Sequence, residues 1–232
     1  MKSFTEIHTL DTDEQFLAYS SQPVTPAKAA IIVLQEIFGV NAGIKAKCDE
    51  WASKGYLALA PDLFWRIRPE VELDPDVPDE LQEAFGLMKQ FDQQQGVRDI
   101  EATIRAARDM VNGGKVGAVG YCLGGRMAYY TAARTDINAT VGYYGVGIPE
   151  LLGEAHAIAH PLMLHIAGAD HFVDAEEQKK IHAGLDSHPK VSLHDYAGVD
   201  HGFATTTGLR RDEAAAQLAD SRTEAFFAKH LA

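Results

Sequence analysis

Cysteine is scarce in this sequence. Its 232 residues include two cysteines, Cys48 and Cys122, which could form one disulfide. A single bridge is unusual in a chain of this length, and residues 1–16 carry acidic side chains where a secretion signal needs an unbroken apolar run. We therefore expect two free thiols and a cytoplasmic protein.

Basic patches and long apolar runs are also missing. The formal net charge is -12, and no stretch gathers the lysines and arginines that would bind nucleic acid or an anionic membrane surface. No apolar run approaches the roughly 20 residues that span a bilayer. The sequence has no His-Glu-x-x-His motif, no paired-cysteine spacing and no glycine-rich phosphate loop. We expect no metal, cofactor, membrane or nucleic-acid partner.

What is present is an alternation of short apolar runs with helical patterns. Hydrophobic residues make up 46% of the chain and are spread evenly, which predicts a single domain over residues 1–232. Residues 3–21 predict an antiparallel edge hairpin, and later strands are predicted at 29–34, 56–60, 116–119, 140–144, 162–166 and 191–196. Helices are predicted at 42–54, 79–94, 97–111, 123–134, 175–185 and 211–229, with a proline-containing excursion at 62–77. This order predicts an α/β fold with a doubly wound, mostly parallel sheet and helices on both faces.

One strand-to-helix junction carries a glycine-rich motif. Gly120-Tyr121-Cys122-Leu123-Gly124 matches the G-x-S-x-G turn on which α/β-hydrolases expose their nucleophile, with cysteine in place of serine. The glycines remove side chains that would collide where the backbone folds back, and the helix N-terminus favours a negatively charged sulfur. The alternative is that Cys122 is a small packing residue in a tight turn.

Two later loops offer partners for this thiol in the order that α/β-hydrolases use. Asp170 follows one predicted strand and His201 follows the next, so an imidazole could take the thiol proton while the carboxylate orients the ring. Asp170 could instead cap a helix, although Asp174 directly precedes the helix and is the better cap. His171 is the nearest rival to His201, and Asp200 is expected to be solvated.

These motifs occur together in one known family. The chain resembles the dienelactone hydrolase (carboxymethylenebutenolidase) family of α/β-hydrolases over nearly its whole length. The resemblance lies in six segments: Gln35–Gly39, Pro61–Leu63, Gly120–Gly125, Gly142–Gly147, Asp170–Val173 and His201–Phe203. It implies a hydrolase that opens a small ester or lactone through Cys122, His201 and Asp170 and a thioester acyl-enzyme.

The resemblance also implies further roles. Glu36 would contact the resting thiol and keep it protonated until substrate arrives, because a neighbouring carboxylate raises a thiol pKa; alternatively, Glu36 caps a turn. The backbone N–H groups of Ile37 and Leu123 would form the oxyanion hole. We expect four aromatic residues to line the substrate pocket: Phe38, Tyr144, Phe172 and Phe203.

One departure from the family bears on the substrate. The family grips a carboxylate with arginines, but Thr205 stands shortly after His201, and Asp79–Glu83 contains no arginine. The sequence therefore favours a less acidic or differently shaped ester, unless an arginine enters from elsewhere; the candidates are Arg66, Arg68, Arg126, Arg210 and Arg211. General carboxylesterase or thioesterase activity and a non-catalytic thiol-based binding or redox-sensing role are the alternatives. The oligomeric state is expected to be a monomer or weak homodimer.

Overall fold

The fold is taken from a computed structural model, which describes residues 2–206 and 208–232. Strands and helices alternate along most of the chain. In order they are β1 (Lys2–His8), β2 (Gln15–Ser21), β3 (Ala29–Leu34), α1 (Ala42–Ser53), β4 (Leu57–Pro61), α2 (Pro78–Gln90), α3 (Gln93–Met110), β5 (Lys115–Tyr121), α4 (Leu123–Arg134), β6 (Ala139–Tyr143), a 3-10 helix (Ile148–Ala157), β7 (Leu162–Ala167), α5 (Ala175–Leu185), β8 (Val191–Tyr196) and α6 (Glu213–His230). Each strand and α-helix predicted from the sequence is present.

The chain divides into two compact units, Met1–Gly117 and Ala118–Ala232. Strand β5 carries the chain from the first unit into the second. The single domain that the sequence predicts stays a prediction beside this division.

In the first unit the strands neighbour one another in the order β1, β2, β4, β3. The predicted N-terminal hairpin is confirmed: β1 and β2 pair antiparallel, with Phe4 opposite Tyr19. Strand β2 pairs antiparallel with β4, whereas β3 and β4 are parallel. All six residues of β3 are buried, as expected of a strand that is covered on both faces.

A buried carboxylate, that of Asp62, binds two backbone groups in the excursion after β4. Asp62 accepts backbone N–H groups from Phe64 at 3.0 Å and from Glu70 at 2.7 Å. Its pKa is raised because burial penalises the charged form, although the two N–H groups oppose this shift. Asp62 therefore sets the course of the chain between β4 and α2.

In the second unit β6, β7 and β8 form a parallel set, with Ala167 of β7 opposite Tyr196 of β8. The loops that follow β7 and β8 therefore leave the same edge of these strands. Asp174 caps α5 in a capping box: its carboxylate accepts the N–H groups of Glu176 and Glu177, both at 2.9 Å. The prediction that Asp174 is the helix cap is confirmed.

The 3-10 helix was not predicted from the sequence. It begins after Gly147, whose φ of 74° is accessible to glycine at little cost, and Pro149 lies in its first turn. The short segment lacks the extended 3.6-residue periodicity that reveals an α-helix. None of the helices in residues 2–206 and 208–232 is both long and apolar enough to cross a membrane.

Candidate active site

Cys122 occupies a strained turn between β5 and α4. Its φ is 55° and its ψ is -113°, a conformation that costs a non-glycine residue on the order of 1–3 kcal/mol. The turn is closed by the Cys122 N–H, which donates to the Tyr143 carbonyl at 3.1 Å. A methyl group added at Gly120 would lie 1.9 Å from the Gly124 carbonyl oxygen. The strand-to-helix turn that the motif predicts is therefore formed, and Gly120 is needed where the backbone approaches itself.

The sulfur is placed at a helix N-terminus. Cys122 is the residue before Leu123, which opens α4. The first N–H groups of a helix have no partner within the helix, and they favour negative charge nearby. Cys122 is 9% exposed, so a thiolate here would be screened by little water.

His201 and Asp170 are hydrogen bonded inside the second unit. Nδ1 of His201 donates to Oδ2 of Asp170 at 2.9 Å, and the two side chains are 1% and 2% exposed. The other oxygen of Asp170 accepts the Phe172 N–H at 2.8 Å. Both oxygens of the carboxylate are thus held, and Nδ1 carries a proton. Nε2 of His201 is buried without a hydrogen bond of ordinary geometry to any residue that the structure describes.

The pKa of His201 is raised to about 10. Burial lowers this pKa, but the electrostatic interaction and hydrogen bond with Cys122, together with the hydrogen bond and charge of Asp170, outweigh burial. The shift therefore couples the histidine to both a sulfur and a carboxylate. It favours the imidazolium, the form that can donate a proton.

Asp200 has more partners than the sequence predicts. Although its side chain is 57% exposed, Oδ1 accepts the backbone N–H of His201 at 2.6 Å and that of His171 at 3.0 Å. It also accepts Nδ1–H of His171 at 2.8 Å. Burial raises the pKa of Asp200, but these hydrogen bonds outweigh it and lower the pKa overall. Asp200 is exposed as expected, but it is not simply solvated, and His171 pairs with Asp200 rather than with Asp170.

Aromatic rings surround the imidazole of His201. The ring of Tyr144 meets it edge-on with centroids 5.0 Å apart, and Phe172 does the same at 4.9 Å. Phe203 is fully buried and packs against the ring of Tyr144 with centroids 5.5 Å apart, so it contacts a neighbour of the His201 imidazole. Phe172 is 41% exposed and is the most exposed of these three rings.

The remaining predicted site residues lie in the first unit. Glu36, Ile37 and Phe38 follow β3 and are buried. Gln35 stabilises this turn, because its side-chain oxygen accepts the Leu63 N–H at 3.0 Å and its amide donates to the Glu36 carbonyl at 3.3 Å. The roles predicted for these residues stay predictions.

A buried hydrogen-bond chain connects the ends of β6, β7 and β8 with α6. Its order is Arg222 to Tyr196 (3.1 Å), Tyr196 to His165 (2.8 Å), His165 to Thr223 (2.9 Å), Thr223 to Tyr143 (2.6 Å) and Tyr143 to Asp220 (2.9 Å). Arg222 can only donate and the Asp220 carboxylate can only accept, so every proton points toward Asp220. His165 is therefore neutral with its proton on Nε2, in keeping with a pKa that burial holds well below its usual value. The sequence did not predict this hydrogen-bond chain, because the residues that form it are far apart in sequence.

Of the five candidate arginines, Arg210 packs beside Gly202, and the other four bind acidic side chains. A methyl group added at Gly202 would lie 3.0 Å from Nη1 of Arg210, so this guanidinium packs against the residue that follows His201. The other four bind as follows: Arg66 binds Asp99, Arg68 binds Glu83, Arg126 binds Glu150 and the Gly147 carbonyl, and Arg211 binds Glu213 and the Thr205 carbonyl.

One group of side chains in the described residues has metal-ligand chemistry. The ligand atoms of Asp170, His171 and Asp200 all lie within 4.8 Å of one another. Asp170 is, however, bonded to His201, and Asp200 to His171. The cluster is accounted for by hydrogen bonding and identifies no cofactor.

A strained strand-to-helix turn that carries a cysteine, followed by a buried histidine–carboxylate pair on an α/β chain, has the features of an α/β-hydrolase. The family model for the dienelactone hydrolase family matches residues 16–231. Carboxymethylenebutenolidases from Pseudomonas putida and Cupriavidus pinatubonensis are 40% and 36% identical over 208 and 210 residues, which are 88% and 90% of this chain and 88% and 89% of theirs. The chain therefore belongs to the dienelactone hydrolase family and is a hydrolase of ester or lactone bonds.

Solved structures agree on the fold. A crystal structure from Klebsiella pneumoniae subsp. pneumoniae MGH 78578 has a TM-score of 0.84 at 25% identity and covers 99% of both chains. A dienelactone hydrolase-like promiscuous phosphotriesterase from metagenomic libraries has a TM-score of 0.74 at 19% identity and covers 100% of this chain and 99% of its own. The predicted α/β-hydrolase fold is confirmed.

Proposed function

We propose that this protein hydrolyses a small ester or lactone with Cys122 as nucleophile, His201 as proton carrier and Asp170 as the group that orients His201. The observation that carries the proposal is the buried His201, which is held at Nδ1 by Asp170 and whose pKa is raised by its interactions with Cys122 and Asp170. A histidine with one nitrogen fixed by a carboxylate and the other available is the arrangement that proton transfer to and from a nucleophile requires.

In the first half of the reaction, the Cys122 proton passes to Nε2 of His201. The sulfur attacks the carbonyl carbon, and a C–S bond forms as the carbonyl oxygen takes negative charge. When this oxyanion collapses, the C–O bond of the ester breaks and the imidazolium gives its proton to the departing oxygen. In a lactone this step opens the ring and leaves both parts on one molecule.

In the second half, water attacks the thioester. Nε2 of His201 takes a proton from the water while the hydroxide oxygen bonds to the carbonyl carbon. Collapse breaks the C–S bond, the imidazolium returns its proton to the departing sulfur, and the carboxylic acid product is released. His201 alternates between base and acid, and its raised pKa assists the steps in which it takes a proton.

The backbone N–H of Leu123 is proposed as one oxyanion donor, since it lies in the first turn of α4, where helix N–H groups lack helical partners. Ile37 is proposed as the second donor and Glu36 as the group that keeps the resting thiol protonated. Both proposals rest on the family resemblance. A cytoplasmic location also stays a proposal, supported by two buried, unbridged cysteines. Whether the protein is a monomer or a weak homodimer stays a prediction.

For the substrate we propose a small lactone or ester that carries a carboxylate. The sequence favoured a less acidic substrate because the family arginines are missing, but Arg210 packs beside Gly202, the residue that follows His201. Carboxymethylenebutenolidase activity, the name that two of the relatives carry, is the corresponding reaction. Arg210→Gln should raise KM roughly tenfold for a carboxylate-bearing lactone and leave its methyl ester unaffected. Arg211→Gln is the neighbouring control. An equal rise in KM for the lactone and for its methyl ester in Arg210→Gln would contradict the assignment.

The central test compares the two cysteines. Cys122→Ala should lose turnover and thioester formation, whereas Cys48→Ala, which removes the other buried thiol, should retain both. Turnover is measured on a small ester panel, and the acyl-enzyme is sought as a mass increase on the Cys122 peptide after rapid acid quench. Undiminished turnover in Cys122→Ala would refute the mechanism. Rates on aryl esters, lactones and acyl thioesters in the same panel separate lactonase, carboxylesterase and thioesterase activity.

A further inference from the structure

Two Asp-His dipeptides, Asp170-His171 and Asp200-His201, follow the adjacent parallel strands β7 and β8. Each aspartate is hydrogen bonded to the histidine of the other dipeptide. Asp170 binds His201, and Asp200 binds His171. The first pair is 1–2% exposed, while the side chains of the second are 57% and 58% exposed. Residue types are therefore the same in both pairs, and burial is what differs.

Asp200 also fixes the backbone of both loops. One oxygen, Oδ1, accepts the N–H of His201 at 2.6 Å and the N–H of His171 at 3.0 Å. Two backbone hydrogen bonds continue the attachment, from Gly168 to the Tyr196 carbonyl and from Ala169 to the Val199 carbonyl, both at 2.9 Å. The Asp200 carboxylate therefore links the backbones of the two loops at His171 and His201.

We propose that Asp200 is a positioning residue for His201, with His171 as the side chain that anchors Asp200. This inference rests on the proposed function, because it assumes that His201 transfers protons. An exposed carboxylate contributes little to global stability, since surface ion pairs are worth about 0–1 kcal/mol. A catalytic group, in contrast, loses rate steeply when it moves by a fraction of an ångström. Removing Asp200 should therefore reduce catalysis without unfolding the protein.

The experiment compares Asp200→Ala, Asp200→Asn and Asp174→Ala. Asp200→Ala should lower kcat roughly tenfold to a hundredfold with little change in KM, because the ring is misplaced while substrate binding persists. Asp200→Asn keeps an oxygen that can accept the N–H groups, so it should recover most of kcat. Asp174→Ala removes the α5 cap in the same region and should lower Tm while leaving kcat unchanged.

Wild-type kcat in Asp200→Ala would overturn the inference. So would a loss that Asp200→Asn does not rescue and that comes with a fall in Tm as large as that of Asp174→Ala, because that pattern indicates a merely structural role. Cys122→Ala is measured in the same assay. Turnover that survives in Cys122→Ala refutes the proposed function itself, whereas an inactive Cys122→Ala beside a fully active Asp200→Ala refutes the positioning role alone.

Discussion

Replacing Gly120 by alanine tests whether the turn that carries Cys122, the proposed nucleophile, controls activity. The added methyl group would lie 1.9 Å from the Gly124 carbonyl oxygen, 2.3 Å from its carbonyl carbon and 3.0 Å from its Cα. All three atoms belong to the backbone of α4, so no side chain can rotate away to relieve the contact. The start of α4 must move relative to the end of β5.

The size of that movement follows from the distances. Cβ atoms essentially never approach a neighbour within 3.0 Å, so the Gly124 oxygen must retreat by about 1.1 Å. Cys122 lies midway along the same turn and moves with it. A misplacement of about 1 Å costs on the order of a hundredfold in rate, and inserting a methyl group into a packed site costs about 1–3 kcal/mol. Gly120→Ala should therefore lose roughly a hundredfold in kcat/KM together with several degrees in Tm.

The assay measures kcat/KM on a small ester, the rate of Cys122 alkylation by iodoacetamide, and Tm. Gly153→Ala is the matched control, because a methyl group there meets nothing within 4 Å. The control should keep wild-type activity. If Gly120→Ala retained wild-type kcat/KM and Tm, the close approach at this turn would not govern the position of the nucleophile.

Three other predictions address charge, packing and buried polar groups. Cys122→Ala should lower the pKa of His201 from about 10, because the sulfur charge that raises it is gone while burial remains; an NMR titration in which the pKa is unchanged would contradict this coupling. The raised pKa of His201 stabilises the folded wild-type protein most below pH 6.5, and this contribution is lost as the pH rises through about 10. In Cys122→Ala the pKa of His201 is lower, so the contribution should disappear at a lower pH than in the wild type. Gly86→Ala, at an open position in α2, should raise the unfolding free energy by about 0.5–1 kcal/mol in urea titrations, and a decrease would refute it. Thr223→Val removes the hydroxyl that accepts the hydrogen bond of His165 and should lower the unfolding free energy by about 1–3 kcal/mol in the same titrations. An unchanged urea midpoint would show that the buried hydrogen-bond chain adds no stability.

The elements of the fold could be predicted because each has a local signal. The apolar run 29–34, the helix at 123–134 and the helix at 175–185 have the same bounds in the structure as in the sequence analysis. The boundary between the helices at 79–94 and 97–111 was less accurate. The break lies at Phe91 and Asp92, where the Asp92 side chain caps α3 by accepting the N–H groups of Gln94 and Gln95. A cap is read from side-chain geometry, and three consecutive glutamines obscure it in the sequence.

For the site, the order of the candidate residues along the chain was predictive, whereas the contacts between loops could not be predicted from the sequence. The thiol, the acid and the histidine were chosen because each follows a predicted strand in the order that hydrolases use. The pairing of Asp200 with His171 was missed, because no local rule states which of two acids meets which of two histidines across neighbouring loops. Arg210 was named among five arginines without a means of selecting it. Packing against Gly202 separates it from the others, and a contact between two residues eight positions apart in a loop has no local sequence signal.

Burial, rather than residue type, separates the roles of the two Asp-His pairs. In the interior little water screens the charges, so the Asp170 carboxylate and the Cys122 sulfur can raise the pKa of His201 against the effect of burial. At the surface water screens most of the interaction between Asp200 and His171, and the remaining effect is geometric. Substitutions in the buried pair should therefore change the pH dependence of the reaction, whereas substitutions in the exposed pair should scale its rate at every pH.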